Sequence, residues 1–165
     1  VKNFKFNRVW VGVKKKALGK KVLASGTFDL IHYGHLKFLE EAKKAGGEKA
    51  ELIVLVARDK TVEKRKGRKP VIPEDQRRAL VEALKPVDSA ILGYEELSFE
   101  KVLEKIKPDL VAVGYDQEDV YKAVKKIIEE KKLNIEIVRI GRYGPEELNS
   151  SSKIKRKVIN EWGKQ

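Results

Sequence analysis

The segment Val22-Leu-Ala-Ser-Gly-Thr-Phe-Asp-Leu-Ile-His-Tyr-Gly-His35 contains a short apolar run, a turn and both histidines of the chain. The apolar run over residues 22–25 predicts a β-strand. After the second histidine, Leu36 and Leu39 follow at helical spacing, and Gly46-Gly47 ends the pattern. The segment therefore predicts a strand, a turn and a helix, with the two histidines at the start of the helix.

The same alternation continues along the chain. Four further apolar runs predict strands over residues 52–57, 87–92, 110–113 and 135–140. Helical patterns lie between and after these runs, starting at Pro73, Phe99, Val120 and near Ser150. Because strands joined through helices run parallel, we predict an α/β fold: a single doubly wound domain with a mainly five-stranded parallel sheet and helices on both faces. Ligands of such sheets bind beyond the carboxyl ends of the strands.

Length and composition exclude several classes of protein. The 165 residues are typical of one domain, and the chain has no cysteine, which excludes disulfide frameworks, thiolate catalysis and cysteine-based zinc sites. No apolar run is long enough to span a bilayer, and the first residues lack the apolar core of a signal peptide. We therefore expect a cytoplasmic protein with no membrane partner. The absence of Cys and Met beside abundant Lys and Glu resembles a hyperthermophile composition.

The formal net charge of +12 is unevenly distributed. Residues 1–21 hold eight basic residues and no acidic one, and residues 149–165 hold five basic residues and one acidic one. The interior is neutral, with 24 residues of each sign. We therefore predict a basic N-terminal extension over residues 1–21 and a folded domain over residues 22–162. A nucleic-acid-binding module is the remote alternative, and it rests on net charge alone.

His32-Tyr-Gly-His35 is the first candidate site. A helix N-terminus presents unpaired N–H groups and partial positive charge, so it suits a phosphate. Histidines three residues apart lie on one side of the first turn. Gly34 between them removes a side chain where a phosphate or base could approach, and the preceding Gly26-Thr-Phe-Asp29 adds a hydroxyl group and close backbone contacts. A purely structural capping role for the histidines is the alternative.

The segment over residues 58–69 holds seven basic residues against Asp59 and Glu63 and directly follows the most apolar strand. A solvated loop is the usual interpretation of such a charge run. Its place at the ligand edge also allows contacts to a triphosphate, although spacing cannot choose among Lys60, Lys64 and Lys66. Arg77 and Arg78 are open to the same two interpretations.

Two later segments also follow predicted strands. In Gly114-Tyr-Asp-Gln117, Asp116 suits a ligand for a sugar hydroxyl or base amine, a helix cap, or both roles at once. Ser150-Ser-Ser-Lys153 offers hydroxyl groups, helix N–H groups and an ammonium to an anion. The phosphate loop of P-loop kinases and the G-x-G-x-x-G turn of Rossmann dehydrogenases are both absent from the sequence.

Together, Gly26-Thr-Phe-Asp29, His32-Tyr-Gly-His35 and Ser150-Ser-Ser-Lys-Ile154 resemble the cytidylyltransferase branch of the HIGH-motif nucleotidyltransferases, over about residues 20–160. Ala57-Arg-Asp59 and Leu84-Lys-Pro-Val-Asp88, among others, resemble the archaeal FAD synthases more than the glycerol-3-phosphate cytidylyltransferases. The resemblance implies a Rossmann-like nucleotidyltransferase fold. It implies transfer of AMP from ATP to the phosphate of FMN with a divalent cation such as Mg²⁺, and a homodimer is a further expectation.

The resemblance also implies roles for individual residues. His32 and His35 are the expected catalytic residues. The expected ATP contacts are Thr27, Phe28, His32, Tyr33, Gly34, His35, Asp116 and Tyr143. The expected further contacts to phosphate are Lys64, Ser151, Ser152 and Lys153, and no residue is assigned to the metal. A cytidylyltransferase acting on an alcohol phosphate is the alternative enzyme, because the sequence does not display the acceptor site.

Overall fold

The computed structural model describes residues 19–94, 98–142 and 148–163. The strands in these ranges are β1 (Lys21–Gly26), β2 (Glu51–Val56), β3 (Ser89–Leu92), β4 (Leu110–Gly114) and β5 (Glu136–Ile140). The helices are α1 (Tyr33–Ala45), α2 (Asp59–Lys66), α3 (Glu74–Glu82), α4 (Phe99–Ile106), α5 (Glu118–Glu130) and α6 (Ser151–Trp162). None of the helices in these ranges is long and apolar enough to cross a membrane.

Each face of the sheet carries its own hydrophobic core. One core joins the strands to α1 and α3, through buried residues such as Leu39 and Val81. The other joins them to α4 and α5, through residues such as Phe99 and Val124. All five residues of β4 are buried, as expected for a strand covered on both faces. The strands are parallel in the order β3-β2-β1-β4-β5, so the prediction of a doubly wound five-stranded sheet is confirmed.

The strand order reverses between β1 and β4, because the chain passes from β1 outward to β3 and then returns to the other side of β1. The two strands pair only from Val22 to Ala24, whereas β1 and β2 pair as far as Gly26. The Gln117 side chain bridges the strands beyond that pairing. Its Nε2 donates to the Ser25 carbonyl at 2.9 Å, and its Oε1 accepts from the Gly114 amide at 2.8 Å. A crevice therefore opens at the carboxyl ends of β1 and β4.

The interpretation of residues 58–69 as a solvated loop was wrong, since α2 lies within this segment. Asp59 stands in the first turn and three basic residues stand in the last, which suits the helix dipole. Gly67 ends the helix with a φ of 68°, and its amide donates to the Glu63 carbonyl at 2.8 Å. This left-handed end is one that glycine adopts without strain. The many charges of the segment obscure its helical spacing in the sequence.

Arg77 on α3 is fully buried under the carboxyl ends of β1 and β2. Its guanidinium donates to the carbonyls of Thr27, Ala57 and Ile72. It also pairs with the Asp59 carboxylate at 2.6 Å. Arg77 therefore holds the backbone and does not line the cavity described below, so the interpretation of Arg77 as a triphosphate contact was wrong.

We expect Arg77→Met to lower the free energy of unfolding by about 3–5 kcal/mol, because it leaves the partly buried Asp59 carboxylate and three carbonyls without their donor. Urea denaturation monitored by circular dichroism measures the change. The matched control is Arg78→Met, since Arg78 is only partly buried and pairs with Glu82 on the same helix. That control should cost less than about 1 kcal/mol. Equal losses in the two variants would contradict the role assigned to Arg77.

Candidate active site

A cavity of about 420 Å³ lies at the carboxyl edge of the sheet. Residues in or just after all five strands line it, namely Gly26, Leu55, Gly93, Gly114 and Gly141. The first turns of α1, α2, α4 and α6 also contribute to its walls. The cavity therefore occupies the place where doubly wound sheets bind their ligands.

The turn after β1 forms the floor of this cavity and has a strained backbone. Phe28 and Leu30 have positive φ values of 52° and 47°, which non-glycine residues seldom adopt. The Phe28 ring is buried and packs back over Gly26, where an added Cβ would lie 2.8 Å from a ring carbon. Such a conformation persists only where its surroundings fix it. The Arg77 bond to Thr27 supplies one of the constraints.

Asp29 supplies further hydrogen bonds that constrain the turn after β1. Its Oδ1 accepts hydrogen bonds from the amides of Val71 and Ile72 at 3.0 and 3.1 Å, and its Oδ2 accepts from Lys155 Nζ at 2.6 Å. Its carbonyl accepts from the Ser151 hydroxyl group. Burial acts to raise the pKa of the Asp29 carboxyl, but the bonds from Lys155 and the two amides outweigh it and lower the pKa. Asp29 thus ties the turn to α6 and to the segment before α3 as a carboxylate.

His32 caps α1, and His35 lies one turn further along the helix. The His32 Nδ1 accepts from the His35 amide at 3.3 Å, so the neutral His32 ring carries its proton on Nε2 and can donate it to a ligand. The two rings stack with centroids 3.7 Å apart, and the Phe28 ring meets His35 edge-on at 5.2 Å. Within the described part of the chain, the buried Nδ1 of His35 has no hydrogen-bond partner.

Both imidazoles are neutral near pH 7. Burial lowers the pKa of His32. Burial, and then repulsion by His32 and Lys66, lowers the pKa of His35 from its ordinary value of 6.5 to about 3. A nearby polyphosphate would therefore meet hydrogen-bond donors here and no imidazolium charge.

The absence of a side chain at Gly34 allows the segment before α6 to pack against the first turn of α1. A Cβ at this position would lie 2.9 Å from the Asn149 carbonyl oxygen and 3.1 Å from the His32 ring. The segment before α6 therefore approaches the first turn of α1 so closely that any larger residue would displace one of them. This contact brings Ser150-Ser-Ser152 to the edge of the cavity.

Cationic side chains line much of the cavity, and we call this set the cationic wall. They are Arg58, Arg65, Lys66, Arg68, Lys69, Arg142 and Lys155. Arg58 is occupied by Glu74 and the Gly93 carbonyl, and Lys155 is occupied by Asp29. Partial burial, then the charges of Arg65 and Lys155, lowers the pKa of Lys66. Uncompensated positive charge of this kind suits a polyphosphate.

Most of the residues expected to bind ligand meet in this cavity. Those that line it are Thr27, Phe28, His32, Gly34, His35, Asp116, Ser151 and Ser152. Tyr33, Lys64 and Lys153 do not line it: Tyr33 is half exposed beside Lys37, and Lys64 is exposed on α2. Tyr143 lies outside the described residues.

The structure defines the residues that cap α5 and α6. Asp116 does not cap α5, because the cap residue is Gln117 and its side chain bonds to Gly114 and Ser25. Ser150 does cap α6, since its hydroxyl group accepts from the Lys153 amide at 3.3 Å. The Asp116 side chain is thus exposed in the cavity, close to the stacked pair formed by Tyr115 and Arg142 at 5.9 Å.

Sequence reasoning missed several residues that build the site. Lys66 was one of three open candidates, and Lys64 was named in its place because α2 was not predicted. On a helix, Arg58, Val62 and Lys66 recur every four residues and share one face. The bond between Asp29 and Lys155 joins positions 126 residues apart and leaves no local signal. The Gln117 bridge across the crevice likewise depends on the separation of β1 and β4.

Comparison with known proteins places the chain among nucleotidyltransferases. A family model described as cytidylyltransferase-like matches residues 23–157. The FAD synthase of Methanopyrus kandleri is 47% identical over 145 residues, which cover 88% of this chain and 95% of that protein. The FAD synthase of Ferroglobus placidus is 51% identical over 140 residues, covering 85% and 88%. That of Methanobrevibacter smithii is 48% identical over 139 residues, covering 84% and 90%.

Solved structures show the same architecture. The lipopolysaccharide core biosynthesis protein of Thermoplasma volcanium has a TM-score of 0.68 at 40% identity, over 76% of this chain and 99% of that one. The pantothenate synthetase of Thermus thermophilus has a TM-score of 0.56 at 13% identity, over 87% of this chain and 67% of that one, and so shares the fold alone.

The low pKa of His35 predicts an acid-sensitive stability. Between pH 6.5 and about 3 the unfolded chain binds a proton at this residue and the folded chain does not. The free energy of unfolding should therefore fall by about 1.4 kcal/mol per pH unit through this window, on account of His35. Urea denaturation at pH 7 and pH 5.5 measures the effect. The His35→Gln variant should lose less stability than the unmodified chain, and identical losses would contradict the assignment.

Proposed function

The chain belongs to the cytidylyltransferase-like family, and we propose that it acts as an FAD synthase, a nucleotidyltransferase that moves AMP from ATP to the phosphate of FMN. The observation that carries this proposal is the identity of 47–51% to three FAD synthases over 84–88% of the chain. The cavity supports it, since a helix N-terminus, two neutral histidines and several cations converge at one sheet edge.

The reaction makes modest demands on acid–base chemistry. An oxygen of the FMN phosphate forms a bond to the α-phosphorus of ATP. The bond from that phosphorus to the oxygen bridging the α- and β-phosphates breaks, and pyrophosphate leaves with the electron pair. Because the attacking oxygen is already ionised near pH 7, no strong general base is needed. The site must instead align the two phosphates and stabilise the charge that develops during transfer.

His32 and His35 meet this demand beside the α-phosphate. The His32 Nε2–H and the exposed amides of the first turn of α1 donate hydrogen bonds to phosphate oxygens. The stack of the two rings on Phe28 fixes their orientation before the substrate arrives. Donors held in place in this way stabilise developing charge without reorganising during the reaction.

The leaving pyrophosphate meets the cationic wall. Lys66 and Arg65 extend from the last turn of α2, and Ser152 lies at the start of α6. Asp116 and the Tyr115 ring lie on the β4 side, where they contact the nucleoside. Thr27 lies in the floor turn between these groups.

A divalent cation, Mg²⁺ by preference, enters bound to the triphosphate of ATP as part of the substrate. No group of three acidic or histidine side chains suited to hold a metal occurs among residues 19–94, 98–142 and 148–163. This arrangement fits Mg²⁺, which keeps several waters and takes substrate phosphates as ligands, with one or two carboxylates at most.

Three expectations from the sequence stay predictions. They are the cytoplasmic location, the homodimer and the separate basic extension over residues 1–21. Of that extension, residues 1–18 lie outside the described part of the chain, and these carry six of its eight cations. Binding to nucleic acid through the extension would be an additional property and would not replace the enzymatic function.

We expect the purified protein to form FAD and pyrophosphate from FMN, ATP and Mg²⁺, because the site presents phosphate ligands and its sequence relatives are FAD synthases. Liquid chromatography of the flavin products and an assay of pyrophosphate release measure the reaction. Parallel reactions pair ATP or CTP with FMN or glycerol 3-phosphate. Turnover confined to CTP and glycerol 3-phosphate would overturn the proposal in favour of the alcohol-phosphate cytidylyltransferase.

Two lysines of α2 provide a matched test of the cationic wall. Lys66 lines the cavity and Lys64 does not, although they are two residues apart on one helix. Lys66→Met should reduce kcat/KM for ATP by at least about tenfold, because it removes a cation from the developing pyrophosphate charge. Lys64→Met should stay within about twofold, since an exposed charge outside the cavity interacts weakly. The reverse order of effects would assign the phosphate contact to Lys64.

A further inference from the structure

One side of the cavity is apolar and takes no part in the phosphate chemistry described above. Its lining residues there are Leu55, Val62, Phe99, Val102 and Val120. They come from the end of β2, from α2, from the start of α4 and from the start of α5. In the sheet order β3-β2-β1-β4-β5, the ends of β2 and β3 lie away from Arg142, which follows β5 at the opposite edge. Apart from Val120, which lies on the β4 side, the apolar residues therefore lie toward β2 and β3, away from the side assigned to the nucleoside.

Val62 distinguishes this side from the ordinary hydrophobic core. Four of the five residues belong to the core that joins the sheet to α4 and α5. Val62 is only 4% exposed, yet it is a member of neither of the two cores. It lines the same cavity as those core residues. Val62 therefore adds an apolar side chain from α2 to the lining of the cavity.

The path of α2 makes Val62 the roof of this space. At one end of the helix, Arg58 bonds to the Gly93 carbonyl beyond β3 at 2.9 Å. At the other end, the Arg65 guanidinium lies 3.9 Å from the Asp119 carboxylate on α5, which follows β4. Since β2 and β1 lie between β3 and β4, the helix crosses the carboxyl edge of the sheet. Thr61 and Val62 are its buried residues.

The chemistry of this space points to a particular kind of acceptor. An acceptor must place its phosphate at the histidine turn, and its remaining atoms then extend along the cavity. Glycerol phosphate has only hydroxyl groups beyond its phosphate, and these would lose water against an apolar wall without gaining hydrogen bonds. A planar aromatic ring system, by contrast, gains free energy when its faces leave water for such surroundings.

We propose that the isoalloxazine ring of FMN binds between Val62 of α2 and the two α4 residues Phe99 and Val102. We call this space the slot. The proposal rests on the proposed FAD synthase function and adds the location of its acceptor. It makes Val62 a determinant of acceptor specificity. The α2 helix then serves both substrates, with Val62 on the flavin ring and Lys66, one turn later, on the phosphates of ATP.

The test compares KM for FMN with KM for ATP in variants of Val62. A Val62→Trp variant fills the slot, and we expect KM for FMN to rise by about tenfold or more with KM for ATP within about twofold. The control is Val158→Trp, because Val158 is a half-exposed helical valine that does not line the cavity. It should leave both constants unchanged. Circular dichroism and thermal melting establish that each variant is folded.

If the tryptophan variant does not fold, Val62→Thr decides the matter, since it keeps the side-chain volume and only makes the roof polar. We expect it to raise KM for FMN by about threefold without changing KM for ATP. An unchanged KM for FMN in the folded variants, or a rise in KM for ATP instead, would overturn the slot. Absence of FAD formation by the unmodified chain would overturn the proposed function and the slot together, so the two failures are distinguishable.

Discussion

The buried guanidinium of Arg77 is the interaction on which the rest of the site depends. Parallel strands end with carbonyl groups that have no strand partner, and the turns after β1 and β2 must be fixed where ligands bind. Arg77 satisfies the Thr27 and Ala57 carbonyls with one rigid, planar group, and it pairs with Asp59 at the start of α2. A buried charge is tolerated only when its partners are complete. The floor turn, the start of α2 and the segment containing Ile72 therefore stay in register with one another.

The charges around the cavity divide into two groups with different tasks. Asp29, Arg77 and Lys155 form ion pairs or bond to the backbone. These bonds hold the turn, α3 and α6 together. Because the Asp29 carboxylate is neutralised in this way, it does not repel an incoming phosphate. Lys66, by contrast, lines the cavity and leaves it with positive charge for a ligand. The formal charge of +12 is thus a poor guide to function, whereas the position of a few cations at one sheet edge is informative.

The sequence was sufficient for the five strands, their parallel arrangement and the histidine turn, because each has a local signal of apolar runs and helical spacing. It failed for α2, whose charge run resembles a solvated loop, and this error hid the difference between Lys64 and Lys66. It also failed for Arg77, since no local pattern distinguishes a buried arginine from one that binds phosphate. The slot under Val62 requires the crossing of α2 over the sheet edge, which is a tertiary property. Local periodicity therefore gives the scaffold, and long-range contacts complete the site.

The contact between Asp29 and Lys155 spans 126 positions and gives the protein a constraint during synthesis. The floor turn is synthesised well before α6, which supplies the ammonium and hydroxyl groups that anchor it. Before α6 is synthesised, the Asp29 carboxylate lacks its closest counter-charge. The neighbouring residues with positive φ also lack one of their restraints. The nascent chain can form β1 and α1 beforehand, but it acquires a finished phosphate-binding turn only when α6 docks. Competence for nucleotide binding thus depends on contacts between segments that lie more than a hundred residues apart.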